Sequence, residues 1–131
     1  MKFAQIVYAI IALALLGLAI AGGVAYGWIA TGILVAGVIV PDLALVGGFS
    51  PGLEKGQLAR RAVVPYNILH SYYVPLALLL LGLVAPVVWL PTALELPLLA
   101  LGWALHISTD RAVGYRFRTW DGLQRTAFTF A

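Results

Sequence analysis

The sequence contains no cysteine, and only 10% of its 131 residues are charged. The absence of cysteine excludes a disulfide-stapled secreted domain, and the low charge leaves too little polar surface for a water-soluble globule or a nucleic-acid-binding module. Conversely, 63% of the residues are hydrophobic and the mean hydropathy is +1.00. Such a chain is too apolar to be disordered in water. We therefore expect a membrane protein, which has the lipid bilayer as a partner and binds no nucleic acid.

Four apolar segments are long enough to cross a bilayer, which takes about 20 residues per helix. They cover residues 3–22, 28–46, 62–85 and 94–113. The fold class predicted is all-α: a polytopic membrane protein with a four-transmembrane-helix bundle, forming one membrane domain over residues 1–131. The connecting segments are a loop at 47–61 and an interfacial tail at 114–131. The first run exceeds the about 7–15 apolar residues of a signal peptide, so we expect it to be retained.

Glycine and proline mark the expected interruptions. The small residues of 22–27 predict a turn after the first helix, because glycine adopts turn conformations without strain. Pro41 should loosen the end of the second helix and Pro75 should kink the third, because proline removes a backbone donor. A proline-rich stretch at 86–91 predicts the turn before the fourth helix.

The basic residues all fall on one side of this four-helix arrangement. Their positions are Lys2, Lys55, Arg60, Arg61, Arg111, Arg116, Arg118 and Arg125. The two opposite connections carry no lysine or arginine. By the positive-inside rule, both termini and the 47–61 loop are cytoplasmic. The predicted location is the bacterial inner membrane, crossed several times.

Five polar side chains are expected at similar depth in the cytoplasmic half of the bundle, where an unsatisfied polar group costs several kcal/mol. They are Asp42, Asn67, His70, His106 and Asp110. Asn67 and His70 are three positions apart, and His106 and Asp110 are four apart, so each pair shares a helical face. Three separate helices thus present polar groups to one level of the bundle.

Two imidazoles and two carboxylates are ligands that suit zinc, iron or manganese. In the enzyme hypothesis, His70, His106 and Asp110 bind a divalent metal, and Asp42 is a fourth ligand or the general base. Asn67 orients water or substrate. The metal would activate water to hydrolyse a lipid-linked ester or phosphate arriving from the inner leaflet.

Three alternatives stay open on sequence alone. In a structural role, Asp42 or Asp110 pairs with Arg111 or Arg61, and the other polar groups hydrogen-bond between helices. In a haem or other tetrapyrrole site, the two histidines are axial ligands on facing helices. Transport or proton relay would require oligomerisation, because a single bundle of this size is small for that purpose.

The motifs also resemble a family of small bacterial four-helix membrane proteins that is catalogued only as a domain of unknown function. The matching residues are Pro41-Asp42, Tyr66-Asn67-x-x-His70-Ser71-Tyr72 with Pro75, and His106-x-x-x-Asp110-Arg111-x-x-Gly114-Tyr115. The resemblance implies that these are the family's signature positions, and it implies no established activity. The set is also similar in type to inner-membrane metal-dependent hydrolases that have His and Asp ligands on short helical bundles.

One departure from the family pattern bears on function. Members continue into Gly-Phe-Lys-Asp-Thr-His, whereas this chain has Gly-Leu-Gln-Arg-Thr-Ala at 122–127. The late aspartate and histidine are therefore missing. If the family uses that histidine, this chain fits a different role: a non-catalytic accessory or structural subunit of a larger membrane complex, or of a homo-oligomer, contacting a haem or pigment.

Overall fold

The computed structural model describes residues 2–85 and 94–125, and these are helical apart from loops and one short tail. The elements are α1 (Phe3–Ile39), a 3₁₀ helix η1 (Val40–Leu45), α2 (Arg60–Leu69), α3 (Tyr73–Val84) and α4 (Glu95–Val113). In the described ranges there is no strand, only an isolated bridge between Arg118 and Gln124. The predicted all-helical class with four helices is confirmed. The predicted turn at 86–91 lies outside the described residues.

The first two predicted spans form one long helix that folds back on itself at Gly27. Gly27 has φ 82° and ψ −167°, a left-handed backbone that side chains disfavour. Across this break, a Cβ on Gly22 would lie 3.9 Å from the Leu34 side chain, although 12 residues of straight helix measure about 18 Å. Residues 3–26 and 28–39 are therefore two packed arms, which we call the first and second arms of α1.

Length and apolarity make Phe3–Leu45 a candidate membrane span, and only 6% of its most apolar window is buried inside the protein. That exposure differs from the core helix of a water-soluble protein, which would be mostly buried. The helices Arg60–Leu69 and Tyr73–Val84 pass the same test only as one broken span, bent by 43°. The bend follows from Pro75, which removes a donor and whose ring crowds the carbonyl four residues earlier. The predicted kink thus occurs one turn before the proline.

The second arm of α1 crosses α4 at two glycines. A Cβ on Gly102 would overlap the carbonyl oxygen of Leu34, and a Cβ on Gly37 would overlap that of Leu99. Small residues at such a crossing let two helix backbones approach closely. This contact brings the end of α1, and η1 after it, against the C-terminal half of α4.

The loop after η1 and the tail after α4 pack together over that same end of the bundle. Leu58 N donates to Gly122 O at 3.0 Å, and the Gln57 amide donates to Asp121 O at 2.6 Å. We call residues 46–59 and 115–125 the cap. Phe117 and Arg118 are buried, so the tail is not simply an interfacial strip of aromatic and basic residues.

Candidate metal centre

Four of the predicted site residues meet at one point. Asp42 is in η1, His70 follows the last residue of α2, and His106 and Asp110 are one turn apart on α4. The two Nε2 atoms of His70 and His106 are 3.3 Å apart. Asp42 Oδ1 lies 3.5 Å from the His70 nitrogen and 3.6 Å from that of His106. Asp110 Oδ2 lies 3.6 Å and 3.5 Å from the same two nitrogens.

The tautomer of His70 follows from its second nitrogen. Nδ1 lies 2.9 Å from the carbonyl oxygen of Tyr66, which can only accept, so Nδ1–H is the donor. A neutral His70 therefore directs the Nε2 lone pair into the cluster. A backbone carbonyl in this position is the usual partner of a metal-binding histidine. The ring of His106 is likewise hydrogen-bonded to the backbone of Val38.

The ligand atoms of Asp42, His70 and His106 all lie within 4.8 Å of one another, so these three residues could hold a metal ion. The side chains of His70 and His106 are only 1% and 10% exposed, against 20% for Asp110 and 51% for Asp42. The cluster is thus closed on the histidine side and open beside Asp42. Two carboxylates beside the same pair of imidazoles favour a bound cation, which would offset their negative charges.

Asn67 does not join this cluster. Its side-chain amide donates to Arg118 O at 2.9 Å, and its Oδ1 accepts from Arg118 N at 2.7 Å. Asn67 therefore pairs with the tail backbone as a neighbouring strand would. These contacts support a role in anchoring the cap, and they give no support to the prediction that Asn67 orients water or substrate.

The alternative in which the aspartates pair with arginine is wrong for the described residues. Arg61 donates to the carbonyls of Gly47 and Phe49, and neither it nor Arg111 forms an ion pair with a carboxylate there. The partners of the aspartates are the histidines. Sequence spacing could not decide this, because it gives the depth of a residue and not the direction in which its neighbours point.

The tetrapyrrole alternative does not fit the geometry. An iron between two axial imidazoles needs nitrogen atoms about 4 Å apart, twice a metal–nitrogen bond of about 2.0 Å. Here the His70 and His106 nitrogens are 3.3 Å apart, and two carboxylate oxygens lie within 3.6 Å of each. A macrocycle would have to occupy the same space.

A family model described as a domain of unknown function, DUF4260, matches residues 4–129. The chain belongs to the DUF4260 family. No curated protein and no solved structure matches it significantly. The family expected from the motifs is thus confirmed, and it carries no activity with it. The sequence departs from the family pattern at residues 122–127. The structure describes this segment as far as Arg125, so Thr126 and Ala127 lie outside the described residues.

Two α4 residues outside the predicted ligand set, Trp103 and Arg111, bond backbone carbonyls at the broken helix of this DUF4260 chain. The break between α2 and α3 frees backbone carbonyls, and Trp103 Nε1 donates to Leu69 O at 2.7 Å. Arg111 donates to His70 O at 3.0 Å and to Tyr115 O at 3.0 Å. The available signal was Pro75, because a proline predicts unsatisfied carbonyls one turn earlier.

Tyr66 links the cluster to the cap. Its ring stacks on that of His70, with centroids 3.9 Å apart, and the Arg118 guanidinium lies 5.1 Å above its centroid. Tyr66 is only 3% exposed. It is therefore a buried residue packed between the cluster and the cap.

Proposed function

We propose that this chain is a multi-pass protein of the bacterial inner membrane, with both termini and the 47–61 loop on the cytoplasmic side. The one-sided lysines and arginines support this orientation. The large apolar side chains that project outward from α1 and α3 support a lipid environment. Examples are Ile10, Leu13, Leu80 and Leu83, which are all exposed.

The proposed function is metal-dependent hydrolysis of a membrane-associated substrate, and the observation that carries it is the histidine–aspartate cluster. Neighbouring ligands of a tetrahedral ion are separated by 1.63 times the bond length, which gives about 3.3–3.6 Å for zinc bonds of about 2.0–2.2 Å. The nitrogen–nitrogen separation and the four nitrogen–oxygen separations run from 3.3 to 3.6 Å, so the two histidines form a triangle of this size with either aspartate, and Asp42, His70 and His106 are close enough together to share one ion. Octahedral ions with bonds of about 2.1 Å would need adjacent ligands nearer about 3.0 Å. Zinc is therefore our first choice over iron and manganese.

Exposure separates the roles of the two carboxylates. Asp110 is mostly buried and completes the ligand set of His70 and His106, while the half-exposed Asp42 faces the open side. A bound divalent cation would polarise the substrate oxygen and make water a stronger nucleophile. Asp42 accepts the proton as the water oxygen bonds to the carbonyl carbon or phosphorus. The proton then passes to the departing alkoxide as the ester bond breaks.

Elemental analysis of the detergent-purified protein tests the metal centre. We expect one zinc per chain in the wild type and loss of zinc in His70→Ala, with the helix content unchanged by circular dichroism. Thr109→Ala is the matched control, because this exposed neighbour of Asp110 donates to the Leu105 carbonyl of its own helix and lies outside the cluster. A wild-type protein that binds no zinc, iron or manganese after loading would refute the proposal.

A structural metal site in an accessory subunit is the second candidate. The observation in its favour is that the cluster consists of four protein side chains, because structural zinc sites are bound by protein ligands alone. Asp42→Asn separates the two functions. A general base is lost with zinc retained and hydrolysis of lipid esters and phosphates abolished, whereas a structural ligand is lost with weaker zinc binding and no hydrolysis in either protein.

A further inference from the structure

Access to the cluster is blocked from the cytoplasmic side by the cap. Tyr66 covers the His70 ring, and Arg118 covers Tyr66 in turn. Phe117 is buried beneath the Arg111 guanidinium, 4.4 Å from its carbon to the ring centroid. A substrate from the cytoplasm would have to displace these buried side chains.

The open side of the cluster faces apolar surroundings instead. Asp42 is the most exposed member, and Ile39, Leu43 and Val46 around it in the chain are 55%, 57% and 79% exposed. Exposed aliphatic side chains at this density are typical of surface that contacts lipid. In the proposed membrane orientation, the approach to Asp42 is therefore from the lipid side.

An apolar groove of about 520 Å³ has one end close to the cluster. It lies between the two arms of α1 and α4, and we call it the α1 groove. At one end it is lined by Val38 and Leu105, next to His106, whose ring bonds the Val38 backbone. From there it continues past Val35 to Thr31, about 10 Å along the second arm.

A second groove, which we call the α3 groove, provides an internal comparison. It measures about 580 Å³ and lies between the first arm, α3 and α4. Tyr72 lines this groove, and its hydroxyl is bonded to Ser108 Oγ at 2.7 Å rather than to any member of the cluster. The α3 groove therefore has similar volume and apolarity, and the tyrosine hydroxyl at its edge is bonded to Ser108.

We propose that the α1 groove holds the acyl chain of a membrane lipid, whose ester or phosphate reaches the metal centre from within the bilayer. This rests on the proposed metal-dependent function and names its substrate class. The groove is lined almost entirely by apolar side chains and one end of it lies beside His106, so a ligand that extends from the groove to the cluster is a chain with one polar end. Its volume is within the about 300–1,000 Å³ of small-molecule sites, and a helix about 10 Å wide would need more room.

The test uses zinc-loaded protein in phosphatidylcholine nanodiscs and a long-chain fatty acid with a diazirine part-way along its chain. The carboxylate of this probe can bind zinc, and light attaches the chain to the residues beside it, which peptide mapping identifies. We expect labelling of α1-groove residues to exceed that of α3-groove residues about tenfold, and to fall about tenfold when zinc is removed by a chelator. Tenfold corresponds to only 1.4 kcal/mol of anchoring.

Two groove-filling variants control for general lipid contact. Val35→Trp should abolish labelling of the α1 groove while zinc stoichiometry is unchanged, and Leu79→Trp in the α3 groove should leave α1-groove labelling intact. Equal labelling of both grooves, or labelling that ignores zinc, overturns the groove assignment and leaves the metal centre standing. Failure to bind zinc overturns both proposals. If a crosslinked second copy of the chain protects the α1 groove from the probe, the groove is an interface between two copies, and the assignment is also overturned.

Discussion

Replacement of Arg111 by glutamine should destabilise the protein and weaken its metal site together. Arg111 is 2% exposed, and it donates one hydrogen bond to the His70 carbonyl and one to the Tyr115 carbonyl. Among the described residues it has no carboxylate partner within ion-pair distance. Its guanidinium therefore acts as a two-pronged donor that joins the end of α2 to the end of α4.

The magnitude follows from those two bonds. A hydrogen bond from a charged donor contributes about 1.5–3 kcal/mol, so losing two costs about 3–6 kcal/mol. Relief of the desolvation of a buried guanidinium offsets part of this loss. We expect Arg111→Gln to lower the free energy of unfolding by about 3 kcal/mol and to weaken zinc binding about tenfold, because the freed His70 carbonyl lets the ligand move.

The assay is titration of the protein in dodecylmaltoside micelles with sodium dodecyl sulfate, followed by zinc competition with a chromophoric chelator. Arg61→Gln is the matched control, because Arg61 also donates to two backbone carbonyls, those of Gly47 and Phe49, but is exposed. Its loss should change stability by about 0.5 kcal/mol or less. If Arg111→Gln changes stability and zinc affinity no more than Arg61→Gln does, the hydrogen bond from Arg111 to the His70 carbonyl contributes to neither, and the reasoning is refuted.

Three further results are expected. Gly102→Ala should cost about 1–3 kcal/mol and weaken zinc binding, because a Cβ would lie 3.0 Å from the Leu34 carbonyl carbon; Gly32→Ala, with open space around it, should do neither in the same unfolding and zinc assays. Asn67→Ala should make the tail more susceptible to trypsin without loss of bound zinc, and unchanged proteolysis would argue against its anchoring role. Zinc affinity should fall steeply from about pH 8 to about pH 6 in the chelator competition, because both imidazoles must be unprotonated to bind and an ordinary imidazole has a pKa of about 6.5; a flat profile would exclude histidine ligation.

The parts of the site that the sequence predicts are those set by local spacing. His106 and Asp110 are one turn apart, so they share a face of α4 whatever the tertiary structure. Hydropathy and prolines likewise locate the helices and the bend before Pro75. By contrast, the pairing of Asn67 with Arg118 joins residues 51 positions apart, and no local pattern contains it. The fold-back at Gly27 was expected as a turn, but its packed arms depend on long-range contacts.

The crossing of α1 and α4 shows why direction is harder to predict than depth. Glycines in apolar helices are common, and Gly37 and Gly102 stand out only when the two backbones are seen to touch. That contact decides which face of the second arm meets α4, and hence where Asp42 lies. A sequence pattern could place Asp42 at the correct level, but the partner of its carboxylate followed from packing.

Helix α4 positions both histidines, and this explains why Asp110 and Arg111 are adjacent in the sequence. Successive residues of an α-helix point about 100° apart, so Asp110 can face the cluster while Arg111 reaches round to the His70 carbonyl. His106 and Asp110 are thus fixed by α4 directly, and His70 is fixed by α4 through Arg111. Asp42 lies in the first turn of the 3₁₀ helix η1, which follows the glycine crossing and also packs against α2. Because α2 ends next to His70, the packing that places Asp42 also supports His70, and all four side chains depend on one connected set of helix contacts.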